Sequence, residues 1–152
     1  MKKIISVATA FVLCFLLFTG CGDSSVKLNE VMDKINADFN LSLTKLEKAE
    51  DLYTYYSIDT ADVKQFAAEI DSNNNAPKEI VLVEAADDAA ADRVESALTT
   101  RFNSIYSQYS SYSPDQLDMV KDCKVTKNGN FVSMIVADKA SDMLNVYYEY
   151  VK

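Results

Sequence analysis

The dipeptide Asn128-Gly129 sits between two stretches of alternating apolar residues, Cys123 and Val125 before it and Val132, Met134 and Val136 after it. Asn-Gly suits a two-residue β-turn in which both central residues take positive φ. Centred there, the hairpin pairs Lys127 with Asn130, Val125 with Val132, and Cys123 with Met134. Side chains alternate across a strand, so Cys123, Val125, Val132, Met134 and Val136 share one face, and Phe131, Ser133 and Ile135 share the other. An isolated hairpin is marginal in water. The chain must therefore supply further strands or helices to cover at least one of these faces.

The rest of the sequence supplies both. Ile80-Val81-Leu82-Val83 is a continuous, β-branched-rich run of the kind found in a buried strand. Leu28, Val31, Met32, Ile35 and Phe39 recur at helical spacing, which predicts a helix over about 28–38. Leu46, Ala49, Tyr53 and Tyr56 continue a helical stripe to about 56, and the pattern does not separate one kinked helix from two. Residues 58–62 read as a turn. Residues 63–70 fit either period: Val63, Phe66, Ala67 and Ile70 for a helix, Phe66, Ala68 and Ile70 for a strand. Asp71 to Lys78, with three Asn and Pro77, is a loop. Asp87 and Asp88 supply a cap and a negative first turn for the longest helix, about 88–111, with Ala90, Val94, Ala97, Leu98, Ile105 and Tyr109 inward. Ser113-Pro114-Asp115-Gln116 is a capping box opening a short helix to about 121. A last helix starts at Asp138 with Met143, Leu144, Tyr147, Tyr150 and Val151 inward.

The N-terminus has a different character. Lys2 and Lys3 precede a mainly apolar run, Ile4 to Phe18, too short for a comfortable membrane span. It closes on Leu17-Phe18-Thr19-Gly20-Cys21, followed by Gly22, Asp23, Ser24 and Ser25. Small residues before a cysteine that ends an apolar run form a lipobox, in which the thiol receives a diacylglyceryl group and the chain is cut just before it. Phe18 stands where Leu is usual. An ordinary secretory signal with an incidental cysteine, or a transmembrane anchor, is the weaker reading. The expected organisation is a signal peptide over 1–20, a lipidated N-terminus and short linker over 21–27, and one extracytoplasmic domain over 28–152. The domain would be held at the outer face of the cytoplasmic membrane. Six linker residues span at most about 20 Å, so it stays close to that surface.

Charge and composition narrow the function. The 152 residues carry 15 basic and 23 acidic side chains, a net of −8; loss of Lys2 and Lys3 leaves 13 against 23, or −10. Such a surface repels nucleic acid phosphates and anionic headgroups, so no nucleic acid partner is expected. There is no His, which removes the commonest general base and zinc ligand. With Cys14 lost and Cys21 lipidated, Cys123 stands alone and the fold has no internal disulfide.

The order of elements carries a resemblance. Tyr55-Tyr56-Ser57-Ile58-Asp59, the strand Glu79 to Val83, the helix Asp87 to Arg101, Tyr112-Ser113-Pro114-Asp115-Gln116 and Gly129-Asn130-Phe131-Val132 form a series that resembles small Gram-positive lipoproteins carrying the domain of unknown function 4358. The resemblance covers about residues 28–150. It implies no catalytic residue and no ligand, and it tips residues 63–70 toward a strand paired with 79–84. The expected fold is α+β: a four-stranded antiparallel sheet from two hairpins, covered by helices on one face, behind an N-terminal helical segment.

Candidate chemistry is sparse. Asp71-Ser72-Asn73-Asn74-Asn75 imitates the start of a calcium loop, but Ala76 and Leu82 stand where Gly and Glu are needed, so a solvated loop is favoured. Cys123 has no His to activate it and falls on an apolar face, which reads as an inert thiol. Asp87, Asp88 and Asp92 read as a cap and a solvated face. Nine tyrosines fall in three triplets, 53/55/56, 106/109/112 and 147/148/150, suited either to a sugar or peptide groove or to core margins. No metal, cofactor or enzymatic activity is expected. The sequence points to a non-enzymatic envelope interaction or sensory module with a protein partner. The alternative is a small-ligand-binding lipoprotein accessory to a transporter. Phe131 and Ile135 are the candidate partner surface, on condition that their sheet face is open. The competing expectation is that residues 28–56 fold over that face.

Overall fold

The structure is a computed structural model and describes residues 26–73, 77–112 and 114–152. The lipobox residues Leu17, Phe18, Thr19, Gly20 and Cys21, the Ser113 cap, and Asn74 and Asn75 of the calcium-like stretch lie outside them.

The described residues form five α-helices and one five-stranded sheet, in an α+β arrangement. Helix α1 (Leu28–Phe39) leads to a two-residue strand β1 (Thr44–Lys45), helix α2 (Ala49–Tyr56) and a 3-10 turn at Thr60–Asp62. Strands β2 (Val63–Ile70) and β3 (Glu79–Ala85) follow, then α3 (Asp88–Tyr112), α4 (Pro114–Lys121), β4 (Lys124–Asn128), β5 (Phe131–Val136) and α5 (Ala140–Tyr150). The sheet is antiparallel throughout, in the order β1-β2-β3-β5-β4.

Residues 63–70 are a strand, paired with β3 from Val63–Ala85 to Ile70–Glu79. The fifth strand is β1, too short to leave a period in the sequence. It also answers the open question about 28–56: two helices flank an extended segment that pairs with the edge of β2. Leu46 precedes α2, its N–H donating to Ala68 O at 2.8 Å, so the helical stripe is Leu52 with Tyr56. Tyr53, expected inside, is 64% exposed. Tyr150 is likewise exposed, whereas Met143, Leu144, Tyr147 and Val151 are buried.

The β4–β5 hairpin differs from expectation by two residues. Asn128 pairs with Phe131, Lys127 with Val132, and Val125 with Met134. The loop is therefore Gly129-Asn130, and of these two only Gly129 has positive φ, at +56°. A turn with Gly first asks for one positive φ, where an Asn-Gly centre asks for two. The slip also places Thr126 Oγ1 2.8 Å from Ser133 Oγ and brings Lys127 to Asp92 and Glu95 of α3. Because the slip is even, it leaves the face of every side chain unchanged.

Both faces are core, which corrects the expectation of helices on one side only. Val81, Val83, Val132 and Met134 lie under α3, with α2 and α4 beside it. Ile80, Leu82, Ser133 and Ile135 form the opposite face, under α1 and α5, which pack on each other. All seven residues of β3 are buried, as a strand covered on both sides must be. Ile135 is 2% exposed and Phe131 is partly buried, so the surface they were expected to offer is structural. Of the N-terminal helical segment, α1 makes that closure, sharing it with α5.

The topology gives the sheet two distinct ends. Val63, Ala85, the Gly129-Asn130 turn and the start of α3 lie at one, where the chain enters at Val26. Ile70, Glu79, Val136, the end of α1 and the start of α5 lie at the other.

Candidate functional site

Three buried or half-buried polar clusters tie the helices to the sheet, and an exposed ion pair ties α3 to the 3-10 turn. At the entry end, Gln65 reaches out of β2 and grips the incoming backbone at two points. Its Nε2 donates to Val26 O at 2.8 Å and its Oε1 accepts from Leu28 N–H at 3.1 Å. Gln65 also donates to the buried carboxylate of Glu84, which accepts from Lys64 Nζ at 3.0 Å. Further along α1, Asn36 Nδ2 donates to Glu69 Oε1 at 2.9 Å. Burial pushes the Glu69 carboxyl up from its usual range, with Asp33 acting in the same direction and Asn36 and Lys45 opposing.

On the α3 face, Arg101 holds Glu79 through two guanidinium nitrogens. The Tyr56 phenol lies against this pair, pushed up by burial first and then by the Glu79 charge. Near the start of α3, Arg93 donates to both oxygens of Asp62, Nε at 2.9 Å, and holds that carboxyl below its usual range. These pairings position helices, and every charge in them has an opposite partner or a hydrogen bond.

The candidate residues from the sequence are not drawn together. Asp87 caps α3, its Oδ1 accepting from Ala90 N–H at 2.8 Å, and Asp92 pairs with Lys127. Cys123 is buried under α4, with Sγ 3.1 Å from Met119 O, and burial raises its pKa. That environment suits an inert thiol. Asp71 accepts from Asn73 N–H at 2.9 Å, a local turn bond. The tyrosine triplets divide: Tyr56 and Tyr147 are core, while Tyr53, Tyr55, Tyr106, Tyr112, Tyr148 and Tyr150 are exposed on three separate helices. Among the described residues, no group of three or more Cys, Asp or Glu side chains is placed to hold a metal ion. No described helix is long and apolar enough to cross a membrane.

The sequence did not reveal where the surface is concave. Clefts of about 410, 340 and 210 Å³ lie at the far end of the sheet. The two smaller ones share Asn40, Leu41 and Lys78, and the 210 Å³ cleft shares Asp138 and Lys139 with the largest. The two smaller ones adjoin at the end of α1, whereas the largest lies between the end of α4 and the start of α5. Asn40 and Lys139, both in the left-handed region with φ of +50° and +61°, turn the chain at the 210 Å³ cleft.

Sheet, helices and polar ties define an α+β domain whose buried charges serve architecture and whose concave surface is gathered at one end. The chain belongs to the family described as domain of unknown function (DUF4358), which matches residues 27–137. No curated protein and no solved structure matches it.

Proposed function

We propose that this protein is a lipid-anchored extracytoplasmic domain that acts by binding another envelope protein, without catalysis. The observation that carries the reading is the spacing at the N-terminus. The Leu17–Cys21 motif ends five residues before Val26, and Val26 is the point at which Gln65 fastens the chain to the domain. Five residues reach at most roughly 17 Å, so a lipid on Cys21 would keep the entry end of the domain against the membrane. The acidic surface, at −10 for the processed chain, disfavours lying flat on anionic lipid and favours a domain standing off its tether. Metabolic labelling with a fatty-acid analogue tests the anchor. The wild-type protein should incorporate the label and Cys21→Ala should not; label retained in the variant refutes the lipobox.

A further inference from the structure

We infer that Asn128 is a site of self-modification. In the folded domain the Gly129 backbone nitrogen attacks its side-chain amide, and the ring so formed opens in water to aspartate or isoaspartate. The inference goes beyond the binding role and does not depend on it. Gly129 follows Asn128, whereas every other asparagine in the chain is followed by a residue that carries a side chain.

Solvent base takes the Gly129 amide proton, and the nitrogen adds to Asn128 Cγ to close a succinimide ring. The Cγ–Nδ2 bond breaks, and Nδ2 leaves as ammonia with a proton returned from solvent. Water then adds to either ring carbonyl. Cleavage of the new bond to Cγ leaves aspartate on the original backbone. Cleavage of the bond to the main-chain carbonyl carbon leaves isoaspartate, whose backbone runs through Cβ and Cγ. Water is the only co-reactant, and nothing is oxidised or reduced.

Three features of the turn favour this chemistry. The first is room: Asn128 and Gly129 are both exposed, and beyond its chain neighbours a Cβ built on Gly129 would meet nothing within 4 Å. The second is a free nucleophile. Asn128 pairs with Phe131 at the last rung of the ladder, Gly129 begins the loop beyond it, and no described residue accepts from the Gly129 N–H. The third is a low barrier to the reactive geometry. Attack requires Asn128 to leave its extended conformation, which opens only that last rung. Opening at a loop tip lies at the low-cost end of native fluctuations, and glycine follows the rotation readily, so the fold should slow the reaction about tenfold or less relative to a free peptide. Elsewhere the structure protects. Asn36, Asn103 and Asn145 lie within helices, the Leu41 N–H after Asn40 donates to Asn36 O at 3.2 Å, and Phe131 after Asn130 is held in the ladder.

The test incubates the folded full chain in mildly alkaline buffer and follows each asparagine by peptide mapping with mass spectrometry and by isoaspartate methyltransferase labelling. A synthetic peptide of residues 125–131 gives the rate without the fold. Asn128 should convert within about tenfold of the peptide's rate, with isoaspartate among the products, while Asn103 in α3 stays an amide. Gly129→Ala should slow conversion at least about tenfold in both peptide and protein, because its methyl obstructs the nitrogen. Ile135→Ala destabilises the domain from the other end of the hairpin and should leave the Asn128 rate within about twofold, because the opening is local. An amide retained at Asn128 after the peptide has fully reacted would overturn the inference. So would equal rates with and without the Gly129 change, or a rate at Asn128 that climbs in Ile135→Ala together with that at Asn103, which would assign the reaction to the unfolded chain.

Discussion

Ile135→Ala discriminates between a structural and a functional sheet face. Ile135 lies opposite Ile80 on β3 and Lys124 on β4, and lines the crevice formed by Ala140 and Leu144 of α5. At 2% exposure its side chain is wholly within the α1–α5 layer. The change deletes three carbons. At about 0.8 kcal/mol per buried methylene the transfer loss is about 2.4 kcal/mol. A cavity between two rigid layers adds about 1 kcal/mol, giving a loss of about 3–4 kcal/mol. That is a large share of the roughly 5–15 kcal/mol that holds a typical domain together. Urea unfolding should show a lower midpoint with an unchanged slope, and the melting temperature should fall by about 10–15 °C. Phe131→Ala, at a partly buried strand end, should cost clearly less. A loss below about 0.5 kcal/mol for Ile135→Ala would mean that α5 does not seal this face, and the two-sided core would be wrong.

Removing Arg101 (Arg101→Met) strands the Glu79 carboxylate and should cost about 2–3 kcal/mol in urea unfolding, with much of the loss recovered by adding Glu79→Gln. Glu69 has a folded pKa above its unfolded one, so the folded state binds the extra proton; its contribution is complete below the unfolded pKa and is lost as pH rises through the folded pKa. Glu69→Gln should therefore stabilise the domain above the ordinary carboxylate range and flatten that part of the stability–pH curve, and its amide can also serve the buried, unpartnered Asn36 Oδ1. Gly129→Ala finds open space for its Cβ but must hold φ near +56°, so it should lose about 1 kcal/mol in the same assay.

Where the sequence was legible, a single side-chain period had few competitors. The long α3 stripe and the Ile80–Val83 run each admit one packing, and both formed as read. The β4–β5 register was less legible because Gly129 can stand second in an Asn128-Gly129 turn or first in a Gly129-Asn130 turn. The observed register is the one in which Lys127 reaches Asp92 and Glu95, which lie over thirty residues away. The second helical layer was harder still. Phe131, Ser133 and Ile135 suggested a mixed face, and only the antiparallel packing of α5 on α1 makes it interior. The far-end clefts are built from the ends of several elements and have no local signature. The Phe39-Asn40-Leu41-Ser42-Leu43 lining of the two smaller ones shows in the sequence only as a helix stop.

The central strand pair also sets an order of events. β2 can zip to β3, and β4 to β5, across short turns, but β3 meets β5 only between residues 84 and 131 at the nearest and 79 and 136 at the farthest. Closing such a span costs chain entropy before it returns any contact, so joining the two hairpins should be the slow step of folding. A chain emerging N-terminus first holds its most buried strand half-paired until the last hairpin arrives. Val81 and Val83 then rest on a β2 ribbon with an open edge, a species prone to pairing with a neighbouring chain. Refolding yield should accordingly fall with protein concentration more steeply for variants that slow the β4–β5 hairpin, Gly129→Ala among them, than for equally destabilising changes in α1.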